Sequence, residues 1–227
     1  MQQLPLGVRL RERATFDSFV PGANAEAIHF LRAAATGLSA RAWLWGGPGV
    51  GKTHLLHALC AASDPSQRVS YLPLIDVPDP ERAALDGWAG LDLLCVDDLP
   101  LMIGNALYER ALFALFRDYE DRGARLIVAA RQPPGAFAWS MPDIGSRFGG
   151  SPLFQIRALD ESDQGIAVRA RAAARGMELP DETLSYLQRR FPRDMGTLCA
   201  LLDELDDASL SAQRQLTVPF IRQVLGD

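Results

Sequence analysis

Lysine is nearly missing from this chain of 227 residues: of its 23 basic side chains all but Lys52 are arginine. Positive charge is short overall, with 23 basic against 28 acidic residues and a net charge of −5 at pH 7. That balance argues against sequence-independent duplex binding, which relies on a basic face. Cysteine is scarce. Cys60, Cys95 and Cys199 are odd in number and form no CxxC, which excludes a disulfide framework and fits reduced, mostly buried thiols. No apolar run approaches the ~18–20 residues of a membrane span; the longest are 93–96 and 126–130. The start, Met1-Gln2-Gln3-Leu4-Pro5, has neither the basic residues nor the apolar core of a secretory signal. A cytoplasmic protein with no membrane partner is expected. With 48% hydrophobic and 22% charged residues, disordered and fibrous classes are out.

The single lysine stands in Gly46-Gly47-Pro48-Gly49-Val50-Gly51-Lys52-Thr53, a full GxxxxGK[ST] phosphate loop. Glycines let successive backbone N–H groups turn toward an anion. Lys52 supplies a compact charge for the β- and γ-phosphates, and the Thr53 hydroxyl is suited to Mg²⁺. An apolar strand precedes the loop and a helix over 53–62, with Leu55, Leu56, Leu59 and Cys60 apolar, follows it. His54 continues the loop and is counted with the nucleotide-binding residues. His54 and His57 stand three apart on that helix, but a third metal ligand does not recur nearby, so a zinc site is not expected. A second apolar run ends in Asp97-Asp98. Asp97 is the expected Mg²⁺-side acid, and Asp98 stands where many such ATPases place a glutamate to orient the attacking water. The bound cofactor is therefore ATP or ADP with Mg²⁺. Aspartate is one methylene shorter than glutamate, so hydrolysis in isolation should be slow.

Strand-like and helix-like segments alternate up to about residue 159. They predict an α/β fold, a parallel sheet flanked by helices. A helix over 105–122 is expected to bury Leu107, Ala111, Leu112, Leu115, Phe116 and Tyr119 on one face. From Asp160 the pattern becomes purely helical. The organisation expected is a tail at 1–14, a nucleotide-binding domain at 15–159 and a helical lid at 160–227.

A P-loop sheet followed by a small helical lid resembles the AAA+ ATPases. Gly51-Lys52-Thr53-His54-Leu55-Leu56-His57-Ala58 is similar to the P-loop helix of the bacterial initiator DnaA. Thr15-Phe16-Asp17-Ser18-Phe19-Val20-Pro21-Gly22 resembles the box preceding that family's core, and Leu179-Pro180-Asp181-Glu182 with Arg193-Asp194-Met195 resembles its lid. An initiator would carry a DNA-binding domain after the lid and a partner domain before the core. Neither is expected here, so the likeness is to the regulatory branch of this DnaA-related family. That resemblance implies a protein that, with the DNA-loaded sliding clamp, stimulates hydrolysis of ATP bound to DnaA. Arg147 occupies the family's arginine-finger position and would act in trans, while the chain's own ATPase would be weak or missing. Arg193 matches the lid arginine that contacts nucleotide. Gln2, Gln3, Leu4, Pro5 and Leu6 resemble a clamp-binding peptide, with Gln2 two residues before Leu4 where the pattern places three. The implied partners are DnaA, the clamp and further copies of the chain, without sequence-specific DNA binding. Ala129-Ala130-Arg131 departs from the small polar or acidic residue usual at that strand end. Two alternatives stay open: an autonomous DnaA-like ATPase or helicase loader on DNA, and a non-catalytic clamp adaptor.

Overall fold

The computed structural model describes residues 14–38, 40–77, 85–192, 194–212 and 216–226. The tail residues Gln2, Gln3, Leu4, Pro5 and Leu6, and Arg193 in the lid, lie outside them. Five strands form one sheet: β1 (Arg41–Trp45), β2 (Val69–Pro73), β3 (Leu93–Asp97), β4 (Arg125–Ala130) and β5 (Leu153–Gln155). Their order is β2-β3-β4-β1-β5, and every adjacent pair is parallel. Parallel neighbours need crossovers, which the helices α2 (Lys52–Ala62), α3 (Ala106–Asp121) and α4 (Pro142–Gly149) provide in part, while α1 (Ala25–Ala35) precedes the first strand. Because strand side chains alternate, each buried strand feeds two cores. Trp43, Leu94, Val96, Leu126 and Val128 face α3 and α4, whereas Leu44, Leu93, Cys95, Ile127 and Ala129 face α1 and α2.

Beyond β5 the chain is helical: α5 (Glu161–Ala174), α6 (Asp181–Arg190), α7 (Met195–Ala212) and α8 (Val218–Leu225). These helices close a third apolar cluster of their own around Val168, Leu187, Leu198, Leu202 and Ile221. Asp160 and Thr217 cap α5 and α8 through their side chains, each satisfying an otherwise orphaned N–H. Among the described residues no helix is long and apolar enough to cross a membrane.

In α3 the expected inward face needs one correction. Asn105 caps the helix by accepting from Leu107 N and Tyr108 N, and the buried stripe is Tyr108, Glu109, Leu112, Leu115, Phe116 and Tyr119. Leu107 is 61% exposed. It lies five residues before Leu112, about 140° round the helix from it, and so points away from the sheet. Glu109, outside the expected inward face, is instead fully buried. Its Oε1 accepts from Gly104 N (2.8 Å) and Ser140 N (3.0 Å), and its Oε2 from Met141 N (2.8 Å). One carboxylate thereby fastens the entry of α3 to the entry of α4. Replacing Glu109 by alanine leaves three backbone donors short of an acceptor. It should cost about 1–3 kcal/mol or more in urea unfolding, with exchange of the Ser140 and Met141 amide protons accelerated.

Candidate nucleotide-binding site

The glycine-rich segment runs from β1 into the first turn of α2. Gly49 and Gly51 have φ of 68° and 97°, the left-handed region in which side chains are disfavoured. Space forbids them as well. A Cβ on Gly51 would lie 2.6 Å from the Phe19 ring, and one on Gly49 would lie 2.8 Å from Asp194 Oδ1. The loop is thus held between the Thr15–Gly22 box on one side and the start of α7 on the other. Lys52 Nζ donates to the carbonyls of Gly46 (2.8 Å) and Gly47 (2.7 Å). Burial holds its pKa below the usual lysine value, with Arg131 acting in the same sense and Asp97 against it.

Asp97 ends β3 with 4% exposure. Its Oδ2 accepts from Thr53 Oγ1 (2.6 Å) and from the Tyr71 hydroxyl (3.0 Å), and its Oδ1 accepts from Asp98 N (2.9 Å). Hydroxyl and carboxylate are therefore together at the mouth of the loop, the oxygen donor set that suits Mg²⁺ beside phosphate oxygens. Burial, followed by the charge of Asp97, raises the Tyr71 phenol well above its ordinary pKa, so it stays a proton donor. Asp98 turns the chain in the left-handed region, at φ 56°. Its carboxyl is pushed above the ordinary aspartate value, first by burial and then by Asp97, with Arg131 and Lys52 opposing. Arg131 follows β4, the strand between β3 and β1, and is exposed.

A cavity of about 650 Å³ opens beside the loop, walled by Phe19, Val50, Leu159, Ala167, Met195 and Cys199 among others. Its mostly apolar walls suit a nucleobase. His54 lines it and ties the box to α2: Nε2 lies 2.9 Å from Thr15 O and 3.4 Å from Ser18 Oγ, with its ring 5.4 Å from that of Phe19. The His57 ring lies tilted against that of Tyr71, with 4.1 Å between centroids, and His29 is exposed. Among the described residues no cluster of three His, Cys, Asp or Glu side chains could hold a metal. Two participants escape the sequence reading of the site. Tyr71 is one. Asp194 is the other: it caps α7 by accepting from Thr197 N (2.8 Å) and Thr197 Oγ1 (2.7 Å) while touching Gly49. Those bonds hold its carboxyl below the ordinary value.

Arg147 is not in this cavity. It lies on α4, with Nη1 3.3 Å from Glu120 Oε2 and its guanidinium 5.4 Å over the Phe113 ring; the side chain is 46% exposed. Glu120 Oε1 is also 3.3 Å from Arg41 Nη2. Arg41 opens β1, whereas the phosphate loop leaves the other end of that strand. Four strand steps, roughly 13 Å, separate the two ends.

The raised pKa of Asp98 fixes a pH dependence. Its ionisation opposes the native state at neutral pH, and that penalty disappears as pH falls through the folded-state pKa to below about 4, where the carboxyl is protonated in both states. An asparagine side chain at this position carries no such charge and tolerates a left-handed turn. Asp98→Asn should therefore raise the Tm at pH 7, and scanning calorimetry should show the gain shrinking toward pH 4.

Residues 10–75 match the family model described as the bacterial DnaA ATPase domain, and residues 160–225 match that described as the lid domain of Hda. Among similar solved structures is domain III of the Thermotoga maritima replication initiation protein DnaA. It is 22% identical, covers 95% of this chain and 97% of its own, and has a TM-score of 0.82. The AMPPCP-bound DnaA from Aquifex aeolicus is 22% identical over 88% of this chain and 67% of its own, at TM-score 0.72. The Thermotoga maritima RuvB Holliday junction branch migration motor is 18% identical over 96% and 72%, at TM-score 0.69. Phosphate loop, parallel sheet and helical lid thus recur together with the two family matches: the chain has the fold of DnaA and RuvB, with one segment similar to the DnaA ATPase domain and another similar to the Hda lid.

Proposed function

We propose that this chain is a nucleotide-holding regulator of replication initiation. Together with the DNA-loaded sliding clamp, it stimulates hydrolysis of the ATP bound to the initiator DnaA by offering Arg147 to the initiator's site. The observation that carries the reading is the placement of Arg147. It is half-exposed, and it is fastened through Glu120 to the end of β1 opposite the phosphate loop. A guanidinium there serves another molecule's phosphates rather than its own. In GTPases, an arginine supplied in this manner contributes roughly 10³–10⁵ in rate by stabilising charge in the transition state.

The chain's own loop, Gly46 to Thr53, holds ATP or ADP, and the AMPPCP found on a DnaA of the same fold supports that assignment. Thr53 and Asp97 would hold Mg²⁺, which supplies charge neutralisation to the phosphates; Arg193 would reach the nucleotide from the lid. Slow turnover follows from Asp98, short and disfavoured as a carboxylate, and from Arg131 where a small polar residue is usual. The bound nucleotide then works as a structural element across residues 15–159 and the lid at 160–227. The segment Gln2 to Leu6 would dock on the clamp as an extended peptide whose proline pre-sets its backbone. A DnaA bound to AMPPCP and single-stranded DNA favours a second reading, assembly of copies on DNA. The chain's net charge of −5 weighs against it.

Two variants separate the roles. Lys52→Ala should weaken nucleotide binding about 10- to 100-fold in titration calorimetry, since hydrogen bonds to charged groups are worth ~1.5–3 kcal/mol. Arg147→Ala should bind nucleotide and clamp normally, yet reduce stimulation of initiator-bound ATP hydrolysis by about 10³-fold. Full stimulation by Arg147→Ala would refute the finger assignment. Nucleotide-dependent oligomers on single-stranded DNA, without any effect on the initiator, would favour the second reading.

A further inference from the structure

Glu120 stands between two arginines and divides its oxygens between them, Oε1 at 3.3 Å from Arg41 Nη2 and Oε2 at 3.3 Å from Arg147 Nη1. Both guanidiniums lie on aromatic faces of α3, Arg41 at 5.6 Å over Phe116 and Arg147 at 5.4 Å over Phe113. Arg41 Nε is buried and has no hydrogen-bond partner among the described residues. A guanidinium offers Nε and one Nη as a parallel fork matched to two carboxylate oxygens. Here one prong is used, because the second oxygen is drawn off toward Arg147.

We propose that Glu120 is an exchangeable latch. It holds Arg147 against α3 in the free protein, and when Arg147 swings out to a polyphosphate on another molecule it closes a two-pronged pair with Nε and Nη2 of Arg41. The proposal rests on the reading of Arg147 as a residue that acts on a partner's nucleotide. Departure of Arg147 would otherwise strand a carboxylate beside incoming phosphates, and like charges oppose each other. Arg41 neutralises that carboxylate, and the exchange satisfies the donor now left without an acceptor. Arg147 loses one carboxylate contact and gains a more highly charged one. Phe116, which carries Arg41, also packs edge-on against Phe148, the residue after Arg147, at 4.8 Å between ring centroids. Glu120 and Arg41 are thus positioning residues. Since both ion pairs are partly exposed, the latch has the strength of a surface pair, about two- to fivefold in an equilibrium.

The test uses the full chain with two substitutions, Glu120→Gln and Arg41→Lys, the second keeping the charge but not the fork. Side-chain ¹⁵N NMR of the free protein reads whether the Arg147 guanidinium is restrained. Titration of the initiator–ATP–clamp complex reads the half-saturating concentration for stimulated hydrolysis. In Glu120→Gln the Arg147 guanidinium should rotate freely, and the half-saturating concentration should fall about two- to fivefold. In Arg41→Lys the Arg147 signal should stay restrained while that concentration rises by a similar factor. An unchanged Arg147 signal in Glu120→Gln would overturn the latch. So would weaker stimulation by Glu120→Gln, which would make Glu120 a fixed support, or a wild-type titration for Arg41→Lys. If Arg147→Ala stimulates as the wild type does, the finger reading fails, while the NMR measurement still decides whether the latch exists.

Discussion

The carboxylate of Asp97 is the point through which the upper end of the sheet is organised, because three donors from three different segments converge on it. Thr53 brings the first turn of α2, Tyr71 brings β2, and the Asp98 amide brings the turn after β3. A buried carboxylate is tolerable only when its lone pairs are met by donors, and here each donor belongs to a part of the site. The same hydrogen bonds therefore stabilise the anion and set the distance between phosphate loop and acid. The loop has little freedom of its own. Phe19 packs over Gly51 and Asp194 over Gly49, so the N-terminal box and the lid both register against the backbone that would receive phosphate. A change of lid position and a change of loop shape are for this reason coupled through contacts rather than through distance.

A second carboxylate, Glu109, does comparable work on the far side of α3. It ties the segment before α4 to the segment before α3, and α4 carries Arg147. The sheet thus separates two chemistries. The C-terminal ends of β1, β3 and β4 gather Lys52, Asp97, Asp98 and Arg131. The opposite end of β1 and the C-terminal part of α3 gather Arg41, Glu120 and Arg147. Parallel strands enforce this separation, since every strand runs the same way and the loops leaving the C-terminal ends all lie on one side of the sheet. A protein built so can hold one nucleotide at one end while presenting a cation to another molecule at the other.

Much of the first site is legible in the sequence, because a phosphate loop is written in eight consecutive residues whose backbone requirements are local. The strand ending in Asp97 and Asp98 is legible for a similar reason, being an apolar run that stops at two carboxylates. The βα alternation and the change to helices near residue 160 follow from periodicity. What escapes is set by contacts distant along the chain. Tyr71 meets Asp97 because β2 pairs with β3 in a register that places Pro73 opposite Asp97, which no spacing rule encodes. Glu109 has no place in the expected inward face of α3, because its burial depends on the segment from Ser140 to Met141 lying against it. Leu107 is misread because the inward stripe is centred on Leu112, and only packing fixes that phase. Arg125 likewise opens β4 as a buried arginine, because Ala34 O, Asp92 O and Gln67 Oε1 lie within its reach. Arg147 is recognisable from the family resemblance, but its partners Glu120 and Arg41 are not.

Under the proposed function two nucleotides are treated differently, one held by this chain and one acted on in the partner. The most direct measurement loads γ-labelled ATP either on this chain or on the initiator, assembles both with DNA-loaded clamp, and follows release of labelled phosphate in a single turnover. The proposed function requires fast release only when the label starts on the initiator, and slow release from this chain in either mixture. Fast release of label that started on this chain, with the initiator's ATP left intact, would contradict it.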